Sequence, residues 1–250
     1  MNRLKPKPTL SMKTFTHVKP TLGRSQRPSL KLHAESDAAP PIATFLPLHY
    51  EANYQYPLIV WLHGAAQSEQ DLPQVMRHVS MRNYLAVAPR GVDTLRAAGG
   101  FHWVDSELDT SEAVERVFDA VQHAGERFSV NPERIFLAGV GAGGTMALRV
   151  ALSHPQDFAG VATFDGAMPN GRRLLARVNE LRDLPILLAS SQHSPQYGEE
   201  RLCQDLRLLH SAGAKVSVRQ YLDDDQLTTV MLSDFDRWMM DIVCGAPAAV

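Results

Sequence analysis

Short apolar runs alternate with longer stretches in which apolar residues recur every three or four positions, from about residue 42 onward. Continuous apolar runs indicate strands buried on both faces, and the wider spacing indicates helices that pack by one face. We predict strands at 43–49, 57–62, 84–88, 134–138, 160–164, 185–189 and 215–221. We predict helices at 70–82, 111–128, 145–153, 171–181, 199–211 and 227–243.

Strands that alternate with helices predict an α/β fold class with a mainly parallel central sheet and helices on both faces. No internal repeat or linker divides residues 35–250, so we expect a single domain there. Residues 1–34 differ, because they hold eight Lys or Arg residues, four prolines and no acidic residue. We predict a basic, disordered tail. A transit peptide or a contact with an anionic partner is the alternative, and the absence of an apolar segment argues against a secretory signal.

The composition is that of an ordinary globular protein. The 250 residues are 44% hydrophobic and 21% charged, with a net charge of -2, which argues against a nucleic-acid partner. No apolar run approaches the roughly 20 residues of a membrane span. Cys203 and Cys244 lie far apart and have no metal-binding spacing. We therefore expect a reduced, cytoplasmic chain with neither a metal nor a cofactor.

The run 136–144, Phe-Leu-Ala-Gly-Val-Gly-Ala-Gly-Gly, predicts a strand, a tight turn and the start of a helix. Gly139, Gly141 and Gly144 match the dinucleotide-binding pattern G-x-G-x-x-G, and Asp165 follows about twenty residues later. That pattern normally opens the first β-α-β unit of its domain. Here two buried strands and a long helix precede it, so we keep dinucleotide binding as a less favoured alternative.

Several motifs resemble the α/β-hydrolases, in particular the phospholipase/carboxylesterase group with its dienelactone-hydrolase-like and feruloyl-esterase-like relatives. Leu58–Gly64, Leu-Ile-Val-Trp-Leu-His-Gly, is similar to the strand and oxyanion loop of that group. Further similar stations are Ala88–Gly91, Trp103–Asp105, Arg134–Gly139 and Leu232–Trp238. The resemblance covers roughly residues 42–245 and implies the α/β-hydrolase fold.

The resemblance also implies where a catalytic triad would lie. The turn that carries the nucleophile reads G-x-S-x-G in active members, and Gly141 stands at the serine position. The acid position falls on Ser194 or on His193, and the histidine position falls on Asp225. None of these residues suits its role, so the resemblance predicts a degenerate triad.

An oxyanion hole needs only backbone N–H groups, and the resemblance places these on Ala65 and Ala142. The remaining pocket-lining candidates are His63, Gly64, Trp103, Asp105 and Asp165.

We therefore predict a carboxylesterase-like pseudoenzyme that binds a small acyl or carbonyl ligand, or a protein partner. The alternative is a carboxyl-ester hydrolase of weak or unconventional activity, in which Ser190 or Ser191 replaces the nucleophile and His63, His102 or His193 approaches it. The closing helix carries a broad apolar stripe that we assign to the core, with a partner surface as the alternative.

Overall fold

The computed structural model describes residues 41–95, 100–171, 178–222 and 227–245. The predicted tail at 1–34, part of the predicted helix at 171–181, and Asp225 lie outside these residues. Among the described residues the strands are β1 Ile42–Phe45, β2 Tyr56–Leu62, β3 Leu85–Pro89, β4 Asp93–Leu95, β5 Gly100–His102, β6 Val130–Val140, β7 Gly160–Phe164, β8 Pro185–Ser191 and β9 Lys215–Tyr221. The helices are α1 Leu72–Val79, α2 Glu107–Arg127, α3 Ala142–Ser153, α4 Val178–Leu181, α5 Glu199–Ser211 and α6 Thr229–Cys244.

Seven strands form the central sheet in the order β1-β3-β2-β6-β7-β8-β9. Only β1 runs antiparallel to its neighbour, and all other pairs are parallel. The predicted α/β class with a mainly parallel sheet is therefore confirmed. Parallel strands bring their carboxyl ends to one edge, which is where open α/β sheets bind ligands.

The core lies on both faces of this sheet, as the unbroken apolar strands predict. All seven residues of β2 are buried. Leu58, Val60 and Leu62 face a cluster shared with α2, α3 and α5, whereas Ile59 and Trp61 face a cluster shared with α1 and α6. The apolar stripe of α6 packs into this second cluster, so it belongs to the core.

The small hairpin formed by β4 and β5 is not among the strands predicted from the sequence. Its strands are only three residues each and pair antiparallel. The predicted first strand is also too long, because β1 ends at Phe45 and His49 has a positive φ of 60°. Within the described residues, no helix is both long enough and apolar enough to cross a membrane.

Candidate functional site

The turn between β6 and α3 is a sharp elbow with Gly141 at its apex. Gly141 has φ 53° and ψ -119° and directly precedes the helix. Its N–H donates to the carbonyl of Phe164 (2.7 Å), and its carbonyl accepts from the N–H of Thr145 (3.0 Å). Glycine adopts this conformation without strain, whereas a residue with a Cβ is strained there by about 1–3 kcal/mol. The elbow therefore has a backbone conformation that favours glycine, and it presents no side chain at its apex.

The other glycines of this run allow the close packing of helix against sheet. A Cβ on Gly143 would lie 2.3 Å from the carbonyl oxygens of Leu62 and His63. A Cβ on Gly139 would lie 2.5 Å from the backbone of Gly143. The first turn of α3 therefore lies against the carboxyl end of β2. This close packing explains the glycines, and no phosphate-binding role is needed to explain them.

The loop after β2 carries the first predicted oxyanion donor, Ala65, which is exposed. The N–H of Gly64 donates to the side-chain oxygen of Gln67 (2.8 Å), and the N–H of Ala66 donates to the carbonyl of Phe101 (3.1 Å). The Phe101 N–H in turn donates to the carbonyl of Gln67 (2.9 Å). The β4–β5 hairpin thus holds the loop in place. The loop lies next to the start of α3, because Gly143 packs on Leu62 and His63, the residues just before the loop.

His63 lies beneath this loop and is fully buried. Its Nε2 accepts from the N–H of Gly91 (3.0 Å), so the ring is neutral with its proton on Nδ1, 2.8 Å from the carbonyl of Gly64. Burial lowers the pKa of His63. The ring also lies 5.5 Å from that of Trp103. His63 therefore supports the loop from below and is engaged through both nitrogens.

An ion pair between the partly exposed Arg90 and the buried Glu69 fixes the residues that follow the loop. Arg90 donates through Nε to Glu69 Oε2 (2.9 Å) and through Nη2 to Oε1 (2.6 Å), and the Glu69 side chain is fully buried. Burial alone raises the pKa of Glu69, but the hydrogen bonds led by those of Arg90 bring it below its usual value. Arg90 also covers the ring of Phe101, 4.3 Å from its centroid.

The two residues predicted for the position of the triad acid lie in the turn that follows β8. Ser194 is 5% exposed, and its Oγ accepts from the N–H of Tyr197 (3.2 Å). His193 is exposed, and its Nδ1 lies 3.3 Å from the carbonyl of Leu222. Ser194 therefore stabilises the turn, and His193 is directed to the end of β9.

Ser190 and Ser191 are almost completely buried, at 1% and 0% exposure. The Ser190 hydroxyl donates to the carbonyl of Tyr197 (3.3 Å). Ser191 donates its N–H to Asp165 Oδ1 (2.6 Å) and its hydroxyl to Asp165 Oδ2 (2.7 Å). These contacts close the strand ends and leave neither serine accessible to a substrate.

Asp165 follows β7 and has a positive φ of 53°, a conformation that Asp tolerates better than most residues. It is 6% exposed, and both of its carboxylate oxygens face Ser191. A ribose-binding carboxylate would have to be open to a crevice. The geometry of Asp165 therefore does not favour dinucleotide binding.

A cavity of about 380 Å³ opens beside the elbow, within the size range of small-molecule sites. Its lining includes the predicted residues Trp103, Asp105 and Ala142, but not His63, Gly64, Asp165 or the predicted oxyanion donor Ala65. Its walls combine aromatic, thioether and polar side chains: His102, Trp103, Asp105, Ala142, Thr145, Met146, Ala167, Met168, Asn170, Gln196 and Arg201.

The charged residues at the cavity are paired with one another. Asp105 forms an ion pair with Arg149 of α3 and accepts from the N–H of Asn170 (3.0 Å). Arg201 lies 3.3 Å from Asp205, which accepts from the N–H of Met168 (2.8 Å). These pairs hold the segment after β7 as one wall of the cavity.

Comparison with known proteins identifies the family. A model of the chlorophyllase family matches residues 17–166, which is more than half of the chain. The chain belongs to the chlorophyllase family. This family is carboxylesterase-like and has the α/β-hydrolase fold, which confirms the resemblance seen in the sequence.

A curated relative named "Probable carboxylesterase Os04g0669600", from Oryza sativa subsp. japonica, is 25% identical over 152 residues. The match covers 53% of this chain and 65% of that protein, somewhat less than two thirds of its length.

Solved structures show the same fold at low sequence identity. A carboxylesterase of Bacillus cereus is 16% identical with a TM-score of 0.66, covering 82% of this chain and 96% of its own. Acyl-protein thioesterase 2 of Zea mays is 17% identical with a TM-score of 0.64, covering 82% of this chain and 100% of its own.

The sequence did not indicate several residues that line the cavity, chiefly Asn170, Gln196 and Arg201. They come from segments far apart along the chain, and no motif marks them. Arg149 did carry a signal, because it is a single charged residue within the apolar run 146–152 of a buried helix.

Proposed function

We propose that this protein is a non-catalytic member of its carboxylesterase-like family, which binds a small acyl or carbonyl ligand at the elbow without hydrolysing it. The observation that carries the proposal is Gly141 at the apex of the elbow. A carboxylesterase of this type attacks its substrate with a side-chain oxygen at that position. Glycine offers no such atom.

The rest of the machinery supports the same proposal. Ser194 is a buried turn residue where the acid belongs, and the position of the histidine falls on Asp225. Ser190 and Ser191 are buried against their own hydrogen-bond partners, so they are poor substitutes for the missing nucleophile. His63 is engaged through both ring nitrogens and cannot act as a base without breaking the support of the loop.

The backbone groups that could bind a ligand oxygen do not depend on a nucleophile. The first N–H groups of a helix have no partner within the helix, and the positive end of its dipole favours an oxygen ligand. Ala142 is at this point of α3 and lines the cavity. The loop with Ala65 is held in place by the β4–β5 hairpin. A carbonyl oxygen bound at the start of α3 would meet the N–H of Ala142 without meeting a nucleophile.

The test is a gain-of-function series measured on short-chain chromogenic esters. The wild type, Gly141→Ser, and the triple variant Gly141→Ser, Ser194→Asp, Asp225→His are compared at equal concentration. We expect an inert wild type and turnover in the triple variant, because the fold and oxyanion loop remain while the triad is restored. Esterase turnover by the purified wild type above that of a denatured sample would refute the proposal.

A further inference from the structure

The charged side chains at the cavity offer no counter-charge to a charged ligand. Asp105 is paired with Arg149, and Arg201 lies 3.3 Å from Asp205. A carboxylate or an ammonium group that entered would lose water without meeting an unpaired opposite charge in the described part of the wall. The cavity therefore favours an uncharged ligand over a charged one of the same shape.

His102 offers the cavity one hydrogen-bonding atom. It is the last residue of β5, is partly exposed and lines the cavity. Its Nδ1 is inaccessible and has no partner among the described residues, so Nε2 is the nitrogen that a ligand can reach. Nε2 makes no hydrogen bond to another described residue. A buried N–H without an acceptor is less favourable than a buried lone pair without a donor, so the neutral ring carries its proton on Nε2. His102 therefore presents a donor.

Thr145 offers a hydroxyl one helical turn after the elbow. Ala142, Thr145 and Met146 all line the cavity, because residues three and four positions apart share one face of a helix. A helical threonine often bonds its hydroxyl to the carbonyl four residues earlier, which here is that of Gly141. That carbonyl accepts from the N–H of Thr145 instead, and the hydroxyl makes no hydrogen bond to a described residue. It can therefore accept a hydrogen bond from a ligand.

From these observations we infer that the cavity is a receptor for a small uncharged carboxamide with an apolar body. The amide oxygen accepts from Nε2–H of His102, and the amide N–H donates to the hydroxyl of Thr145. The apolar body lies against the alanine and methionine side chains of the wall. A ketone or an ester satisfies only the first of these contacts, because neither has an N–H to donate. The inference rests on the proposed non-catalytic function and specifies the ligand of the same site.

The experiment is a ¹⁹F NMR titration of the full chain with three probes of nearly equal shape: 4-fluorophenylacetamide, 4-fluorophenylacetone and 4-fluorophenylacetate. They differ only in the group on the carbonyl carbon, which is an amino group, a methyl group or a charged oxygen. We expect the amide to bind about fivefold more tightly than the ketone, the effect of one neutral hydrogen bond. We expect the acid to bind at least about tenfold more weakly than the amide, because its charge has no partner. The methyl ester of the acid is incubated in parallel, and its spectrum reports any hydrolysis.

Variants of the two side chains test each contact separately. Thr145→Val replaces the hydroxyl by a methyl group, so it should lower the affinity for the amide about fivefold to that for the ketone and leave the ketone unchanged. His102→Phe removes the donor and should weaken the amide and the ketone alike by about fivefold, whereas His102→Gln keeps an N–H donor and should restore most of the binding. The matched controls are Thr229→Val and His78→Phe, since Thr229 and His78 are exposed and lie outside the cavity lining. Thermal melts establish that each variant is folded.

The outcomes distinguish a wrong ligand from a wrong function. If the ketone or the acid binds as tightly as the amide, the carboxamide inference is overturned while the non-catalytic function stands. The same holds if folded Thr145→Val keeps the preference for the amide, or if folded His102→Phe binds the amide like the wild type. If the wild type hydrolyses the methyl ester, the proposed function itself fails, whichever probe binds. If none of the three probes binds, the inference is overturned together with small-ligand binding at this cavity.

Discussion

Alanine substitutions at three glycines should separate backbone strain from steric overlap at the elbow. Gly141→Ala places a Cβ at φ 53° and ψ -119°, where the surrounding space is open but the backbone conformation is unfavourable. We expect the free energy of unfolding to fall by about 1–3 kcal/mol. For a domain of this size that corresponds to a melting temperature lower by roughly 2–4 °C per kcal/mol.

Gly143→Ala should destabilise the protein for a different reason, which is steric overlap. Its Cβ would lie 2.3 Å from two backbone carbonyl oxygens, which cannot move without separating α3 from β2. We expect a loss well above that of Gly141→Ala, or failure to fold. Gly125→Ala is the control, because Gly125 is an exposed residue within α2 with nothing within 4 Å of a built Cβ. It should be more stable than the wild type by about 0.5–1 kcal/mol.

Urea denaturation of the three variants and the wild type gives the required free energies. We expect the order Gly125→Ala, wild type, Gly141→Ala, Gly143→Ala from most to least stable. A Gly141→Ala protein as stable as Gly125→Ala would refute the strained elbow. It would also remove the reason for glycine at the apex, which is that a residue with a Cβ is strained in this conformation.

Two further predictions concern the support of the oxyanion loop. Because burial lowers the pKa of His63, the unfolded chain binds a proton below about pH 6.5 that the folded chain does not, so stability falls as pH falls through that region. In urea titrations from pH 8 to 5, the free energy of unfolding of His63→Gln should depend less steeply on pH than that of the wild type. Equal slopes would contradict the lowered pKa of His63. Glu69→Gln leaves Arg90 without its buried partner and should lower the free energy of unfolding by about 1–3 kcal/mol at pH 7. The ion pair of the exposed Glu112 with Arg116 provides the comparison, since Glu112→Gln should change the free energy of unfolding by under roughly 0.5 kcal/mol. Equal losses in the two variants would contradict the argument that the burial of Glu69 makes its pair the more important one.

The sequence was sufficient for the sheet because each strand carries its own signal. The buried strands read as unbroken apolar runs, and β7, α5 and β9 begin and end where the pattern places them. The elbow was also readable, since its glycines are contiguous and Gly141 stands at the expected apex. Local pattern and tertiary structure agree in these segments.

The cavity was less predictable because its walls depend on contacts between distant segments. The ion pair of Asp105 with Arg149 joins a loop to a helix more than forty positions away. The burial of Ser191 against Asp165 likewise depends on the pairing of β7 with β8. A polar residue that follows a strand can face the cavity or be buried against another side chain. The sequence does not distinguish these two cases, because the partner comes from a distant segment.

The most direct test of the central claim is the reaction of the wild type with a fluorophosphonate probe, followed by intact-protein mass and by ester turnover before and after treatment. The account predicts no covalent adduct and no turnover in either sample. Turnover that is abolished together with the appearance of an adduct would reveal a displaced serine nucleophile. Turnover that survives treatment and repurification would reveal an unconventional site, and either result would contradict the claim that this family member does not hydrolyse esters.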